Sequence, residues 1–169
     1  MLKEEGISRV VASTKIGRSV GMMKKAVVIK RTFFGDVLVQ GNLDEIDGII
    51  IFGGSGAELS LWNNRDLHDI LRILQKRGKV IAAIGTAPVV LARAKLLKGK
   101  EATVASGPYV REIVLKKAIF INKDVVFREK IITARNYTAA NEFITLFMRH
   151  LKGEELKFSP TKAKDGFEF

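Results

Sequence analysis

The chain of 169 residues has no cysteine. Disulfides, thiolate metal sites and cysteine catalysis are therefore excluded. Histidine is nearly as scarce. His68 and His150 are the two present, and they stand too far apart to make a metal-ligand pattern. Neither a metal nor a cofactor is expected. No apolar run approaches the roughly 20 residues needed to cross a bilayer. The opening Met1-Leu-Lys-Glu-Glu-Gly6 lacks the apolar core of a signal peptide. The sequence thus reads as cytoplasmic, with no membrane partner. Acid is in short supply as well: 18 Asp and Glu stand against 29 Lys and Arg, a net charge of +11. A basic balance suits phosphate contacts. Here the cations are spread along the whole chain, and no groove-reading or base-stacking motif accompanies them. A lysine-rich solvated surface of the thermophile kind is the plainer account, and nucleic-acid binding is not expected.

What is present suffices for one domain. The length matches a single unit, and 47% apolar residues can bury a core. Residues 1–151 carry the patterned segments. The polar tail 152–169 lacks periodicity and reads as loosely attached. Met1 to Glu5 reads as the last turn of a helix capped by Gly6. Ser8–Ser13 is expected as a strand, Gly17–Ile29 as a hairpin or an edge excursion, and Asp36–Val39 as a further short strand. Gly48-Ile-Ile-Ile-Phe52 is an uninterrupted apolar run, expected as a strand covered on both faces. Gly53-Gly54-Ser55-Gly56 follows as a turn. Asn63 or Asn64 caps a helix to about Arg77, with Leu67, Ile70, Leu71 and Leu74 on one stripe, and Gly78 ends it.

Val80-Ile-Ala-Ala-Ile84 is a second apolar strand, broken at Gly85, with Pro88 opening a helix to Leu97. Ala102–Ala105, Ile119–Ile121, Val125–Phe127 and Lys130–Ala134 are expected strands, and Gly107-Pro108 starts a helix through Lys117. Thr138 is the expected cap of a last helix, to Leu151, which buries Phe143 and Phe147. His150 near its end fits a charge–dipole role, and His68 a rim position. Alternating strands and helices point to an α/β sandwich. In such sheets, sites form at the carboxyl ends of strands. Here those ends are Gly53-Gly54 and Gly85-Thr86.

Four segments in this order, Asp47-Gly-Ile-Ile-Ile-Phe-Gly-Gly54, Gly78-Lys-Val-Ile-Ala-Ala-Ile-Gly-Thr-Ala-Pro88, Leu91-Ala-Arg-Ala-Lys-Leu-Leu-Lys-Gly-Lys100 and Ile131-Ile-Thr-Ala-Arg135, resemble the ThiJ/PfpI superfamily. This is the class I glutamine amidotransferase-like group that includes the Parkinson's-disease-linked deglycase. The resemblance implies a flavodoxin-like three-layer sandwich with a mostly parallel central sheet. It also implies a homo-oligomer, and a nucleophile elbow after the Val80 strand, where the family carries cysteine. Here Gly85 stands at the cysteine's position, Thr86 at the histidine's and Ala87 at the second glycine's. Glycine adopts a positive φ without steric cost, so it can keep the bend while deleting its chemistry. Gly53 and Gly54 would still offer backbone donors to an oxyanion. Thr86, the hydroxyl closest to the elbow in sequence, would need an activating base to act as a nucleophile. Arg135, at a strand end, is placed to line a pocket for an anion.

The family also begins with an apolar strand and a loop carrying an acid, whereas this sequence opens on Met1-Leu-Lys-Glu-Glu-Gly6, which resembles the end of the helix that follows them. The tail Asp165-Gly-Phe-Glu-Phe169 resembles that acidic loop, with Glu168 at the carboxylate position. Pro160 and the scarcity of apolar residues argue against a buried strand there. The resulting expectation is a catalytically degenerate member that binds a small anionic or carbonyl ligand, or serves as a stress-related interaction module. Its ligand residues would be Gly53, Gly54, Gly85, Thr86 and Arg135. The alternatives are a hydrolase or glyoxalase-type enzyme using Thr86, and a basic nucleic-acid-associated protein.

Overall fold

A computed structural model describes residues 6–8, 10–14, 17–20, 27–30, 32–33 and 43–154. Gly6 adopts φ +71°, the left-handed conformation of a helix-terminating glycine. Among the described residues of the strand expected over Ser8–Ser13, Ala12–Ser13 (β1) is the part that forms. Gly17–Val20 (β2) pairs antiparallel with Val27–Lys30 (β3), which is the expected hairpin. Thr32–Phe33 (β4) lies parallel to β1. The strand expected at Asp36–Val39, the helix end at 1–5 and the tail from 155 onward lie outside the described residues.

Gly48–Phe52 (β5) leads through Gly53-Gly54 directly into a short helix, Ser55–Ser60 (α1). That helix is a correction to the turn expected there. With six residues it shows no apolar period to read. Arg65–Lys76 (α2) follows, and Asn64 is its cap, accepting the Leu67 N–H at 2.8 Å. Gly78 closes it at φ +66°. Val80–Ile84 (β6) is next, then Pro88–Arg93 (α3). This helix stops four residues short of the expected Leu97. Lys95 turns to φ +69°, which ends the helical path while leaving Leu96 and Leu97 buried. Glu101–Ala102 (β7) pairs in parallel with Ile119–Phe120 (β8), with Pro108–Leu115 (α4) between them. Val125–Arg128 (β9) and Ile131–Ala134 (β10) form an antiparallel pair, and Ala140–Leu151 (α5) closes the described chain.

The main sheet has the order β5-β6-β10-β9. Strands β5, β6 and β10 run parallel, and β9 runs antiparallel at the edge beyond β10. Alternation along β6 makes the sandwich. Ile81 and Ala83 join a core with Leu67, Ile70, Leu71 and Leu74 of α2 and the apolar residues of α3. Val80 and Ala82 point to the other face, where Phe143 and Phe147 of α5 cover them. The expected flavodoxin-like α/β architecture is thus present. The β5 run is less covered than its composition suggested. Ile51 is buried and Ile49 and Ile50 are half-buried, but Phe52 is 66% exposed. Among the described residues β5 has a single hydrogen-bonded neighbour, β6, so its other flank lacks the cover a central strand receives.

Two local expectations are corrected at α5. Its entry is a 3₁₀ turn, Tyr137–Ala139, and the side chain accepting there is Asn136, which takes the Thr138 N–H at 2.9 Å. For His150 the surroundings disfavour the cation that a helix-end charge role would need. Its ring packs on Phe127 at 4.2 Å, and burial, with Lys130 nearby, holds its pKa below the ordinary 6.5. Burial lowers His68 in the same direction, against a hydrogen bond to the Trp62 backbone that works to raise it. A base with a depressed folded pKa is protonated first in the unfolded chain. Stability is therefore expected to fall as pH drops below 6.5. Replacing His150 by Phe should flatten that loss. Denaturation midpoints followed across pH would test it, and an unchanged slope would count against a lowered pKa for this imidazole.

Candidate functional site

The carboxyl end of β6 meets that of β5 in a tight corner. Gly85 leaves the strand at φ +74°, and three residues later Pro88 starts α3. That is the sharp strand-to-helix turn of an elbow, not a position inside a helix. It is held from three sides by main chain. The Gly85 N–H donates to the Ala134 carbonyl of β10 at 2.9 Å, and its own carbonyl accepts the Ala105 N–H at 3.0 Å. From β5, the Gly53 N–H donates to the Ile84 carbonyl at 3.0 Å. Gly53 lies so close that a Cβ there would stand 2.4 Å from the Thr86 nitrogen. At Gly85 the opposite holds. A Cβ would meet nothing nearer than Gly53 Cα, at 3.8 Å. The elbow is a bend with room for a side chain and none attached.

Thr86 is 7% exposed, and its hydroxyl is engaged twice. Its Oγ1 accepts the Gly54 N–H at 2.9 Å and donates to the Gly54 carbonyl at 3.3 Å. Both N–H groups of the diglycine are thus taken, one by backbone and one by this side chain. The elbow accordingly offers no free diglycine donor in this state, contrary to what the sequence suggested.

Gly53, Gly54, Gly85 and Thr86 are brought together as one corner. Arg135 follows the neighbouring strand end, one residue past Ala134. Its N–H donates to the Asp124 carbonyl at 2.9 Å and its guanidinium to Asn122 Oδ1. Its Nε is buried and has no partner among the described residues. The Arg135 guanidinium is therefore committed to the β8–β9 connection rather than to the diglycine.

A family model, described as the DJ-1/PfpI family, matches residues 1–150. The chain belongs to the DJ-1/PfpI family. An uncharacterised protein of Methanocaldococcus jannaschii is 36% identical over 144 residues, which is 85% of this chain and 68% of that protein. The deglycase PfpI of Pyrococcus furiosus is 29% identical over 150 residues, 86% of each chain. Among solved structures, a ThiJ/PfpI domain protein from Brachyspira murdochii shares the fold with a TM-score of 0.81 at 24% identity, covering 89% of this chain and 83% of that one. DJ-1beta of Drosophila melanogaster superposes with a TM-score of 0.76 at 26% identity, over 90% of this chain and 79% of its own.

Within this DJ-1/PfpI chain the fold adds a neighbour that sequence spacing did not mark. The Ala105–Gly85 bond brings the segment before α4 to the elbow, so exposed Ser106 and Gly107 flank it. α1 and α4, which start from the two flanking segments, are tied by the Tyr109 hydroxyl donating to Glu58 Oε1 at 2.8 Å. That bond raises the Tyr109 pKa, so the phenol stays a proton donor. Behind it Trp62 meets Tyr109 edge-on at 6.1 Å, and the Arg93 guanidinium lies 4.7 Å over the indole. Arg93 also donates to Asn63 and, at 2.8 Å, to Glu112. Glu58 and Tyr109 are 51 residues apart, a separation no sequence period reveals. Among the described residues, no group of three His, Asp or Glu side chains gathers as a metal site. No helix among them is long and apolar enough to cross a membrane.

Proposed function

We propose that this DJ-1/PfpI chain is non-enzymatic and acts by binding, at the carboxyl end of β5 and β6, a small anionic or carbonyl ligand. One observation carries this reading: the elbow residue is Gly85, at φ +74°, with open space where a nucleophile would project. Covalent catalysis needs an atom to bond, and backbone alone supplies none. The nearby hydroxyls do not replace it. The Thr86 proton is directed at the Gly54 carbonyl, and no base among the described residues is hydrogen-bonded to Thr86 or Ser106. The two histidines sit elsewhere, His68 in α2 against Trp62 and His150 against Phe127. The deglycase activity in the name of the Pyrococcus furiosus relative belongs to that protein. Transfer of that activity to this chain would require chemistry without the elbow side chain.

The test is a turnover assay on the full chain with methylglyoxal, a generic peptide and a generic ester. Rates at the buffer background are expected with all three. Turnover that disappears in Thr86→Ala would overturn the reading in favour of a threonine enzyme. Turnover that survives that substitution would overturn it in favour of another residue.

A further inference from the structure

Resting on the reading that the elbow is a binding site, we infer that Thr86 sets its ligand class: the hydroxyl occupies the Gly54 donor, so that a carboxylate displaces it and a neutral carbonyl compound does not. Gly54 is exposed, with open space where a Cβ would be, yet its N–H is not offered to solvent. It is held by Thr86 Oγ1 at 2.9 Å. The two diglycine donors differ in how they are held. The Gly53 N–H ends on the Ile84 carbonyl, and only movement of a strand end would free it. The Gly54 N–H ends on a side chain, and rotation about one Cα–Cβ bond frees it. The return bond, from the hydroxyl to the Gly54 carbonyl at 3.3 Å, is the longer of the two and is lost in the same rotation.

An incoming oxygen must therefore do better than a threonine hydroxyl. A ketone or aldehyde oxygen only replaces one neutral acceptor by another, so it gains nothing that offsets the lost bond to the Gly54 carbonyl. A carboxylate accepts from the Gly54 N–H with a charge-assisted bond, roughly twice as strong as a neutral one. Space for that group lies beside Gly85, where nothing approaches a notional Cβ more closely than 3.8 Å. The net charge of +11 raises the local concentration of small anions and acts in the same sense.

Amide resonances of the full chain, followed during titration with acetate and separately with acetone, test this. In the native chain the Gly54 amide is expected to shift saturably with acetate and to ignore acetone. In Thr86→Ala no internal hydroxyl competes. Acetate should then bind about fivefold tighter, the worth of one neutral hydrogen bond no longer broken, and acetone should now shift the Gly54 amide. Thr86→Ser keeps the hydroxyl and should behave as the native chain. Without ligand, hydrogen exchange at Gly54 should be slow in the native and serine chains and faster in the alanine chain. This reports the contact even if that variant is less stable. Equal responses to acetone and acetate in the native chain, no response to acetate, or native-like behaviour of Thr86→Ala would each overturn the inference. Turnover in the assay above would instead remove the non-enzymatic reading and leave control of the Gly54 amide by Thr86 intact.

Discussion

Gly53→Ala is expected to cost about 3–4 kcal/mol, and Gly85→Ala only about 1–2 kcal/mol, although both alter the same corner. At position 53 a Cβ would lie 2.4 Å from the Thr86 nitrogen, 2.6 Å from the Ile84 carbonyl oxygen and 2.8 Å from the Ala87 nitrogen. All three are main-chain atoms, so no flexible side chain can swing aside. Relief requires the end of β5 to withdraw from the elbow. That also stretches the bond from the Gly53 N–H to the Ile84 carbonyl. At position 85 the cost comes from φ +74° alone, because the space is open. Urea midpoints of the two variants measure the difference. Similar losses would mean that the close approach at Gly53 is absent in solution. The contrast also bears on function: packing does not require a glycine at 85. The elbow accepts a side chain sterically, so the missing nucleophile is not a steric consequence of the fold.

Phe143→Ala should be the most destabilising change on the opposite face, by about 4 kcal/mol, with a fall in Tm of about 10 °C. Phe143 is 1% exposed and anchors α5 on the sheet together with Phe147. Its neighbours there include Val80, Ala82, Ile132 and Ala134, which are strand residues that cannot collapse inward to refill the space. The sheet separates this cluster from the one under α2 and α3. The variant should therefore keep the slow exchange of the Gly54 amide below its melting temperature, while Gly53→Ala should abolish it. Calorimetry and amide exchange together test both statements. A loss under about 1 kcal/mol would show that α5 is not docked by this ring.

Much of the sandwich was legible because it is written in local period. Leu67, Ile70, Leu71 and Leu74 repeat at helical spacing, and all are buried in α2. The apolar runs at Gly48–Phe52 and Val80–Ile84 became adjacent parallel strands, each ended by glycine. Shorter features escaped. α1 has six residues and too little period to register, and Lys95 ended α3 through a left-handed backbone that no residue type there announces. His150 looked like a helix-end cation until the approach of Phe127 from β9 showed it to be half-buried, with its pKa held below the ordinary value.

Composition alone determined that no thiol is available, and residue order alone placed a glycine where the strand must bend. These are properties of the covalent chain and hold in any conformation. Only the tertiary structure decided what became of the donors. The partners Gly54 and Thr86 lie 32 residues apart, and a hydrogen bond between them exists only once β5 and β6 are in register. The same holds for Ala105 on Gly85 and for Arg135 on Asn122. A donor's direction and whether it is already satisfied depend on distances of a few ångströms between remote segments. Packing sets those distances, and sequence spacing does not encode them.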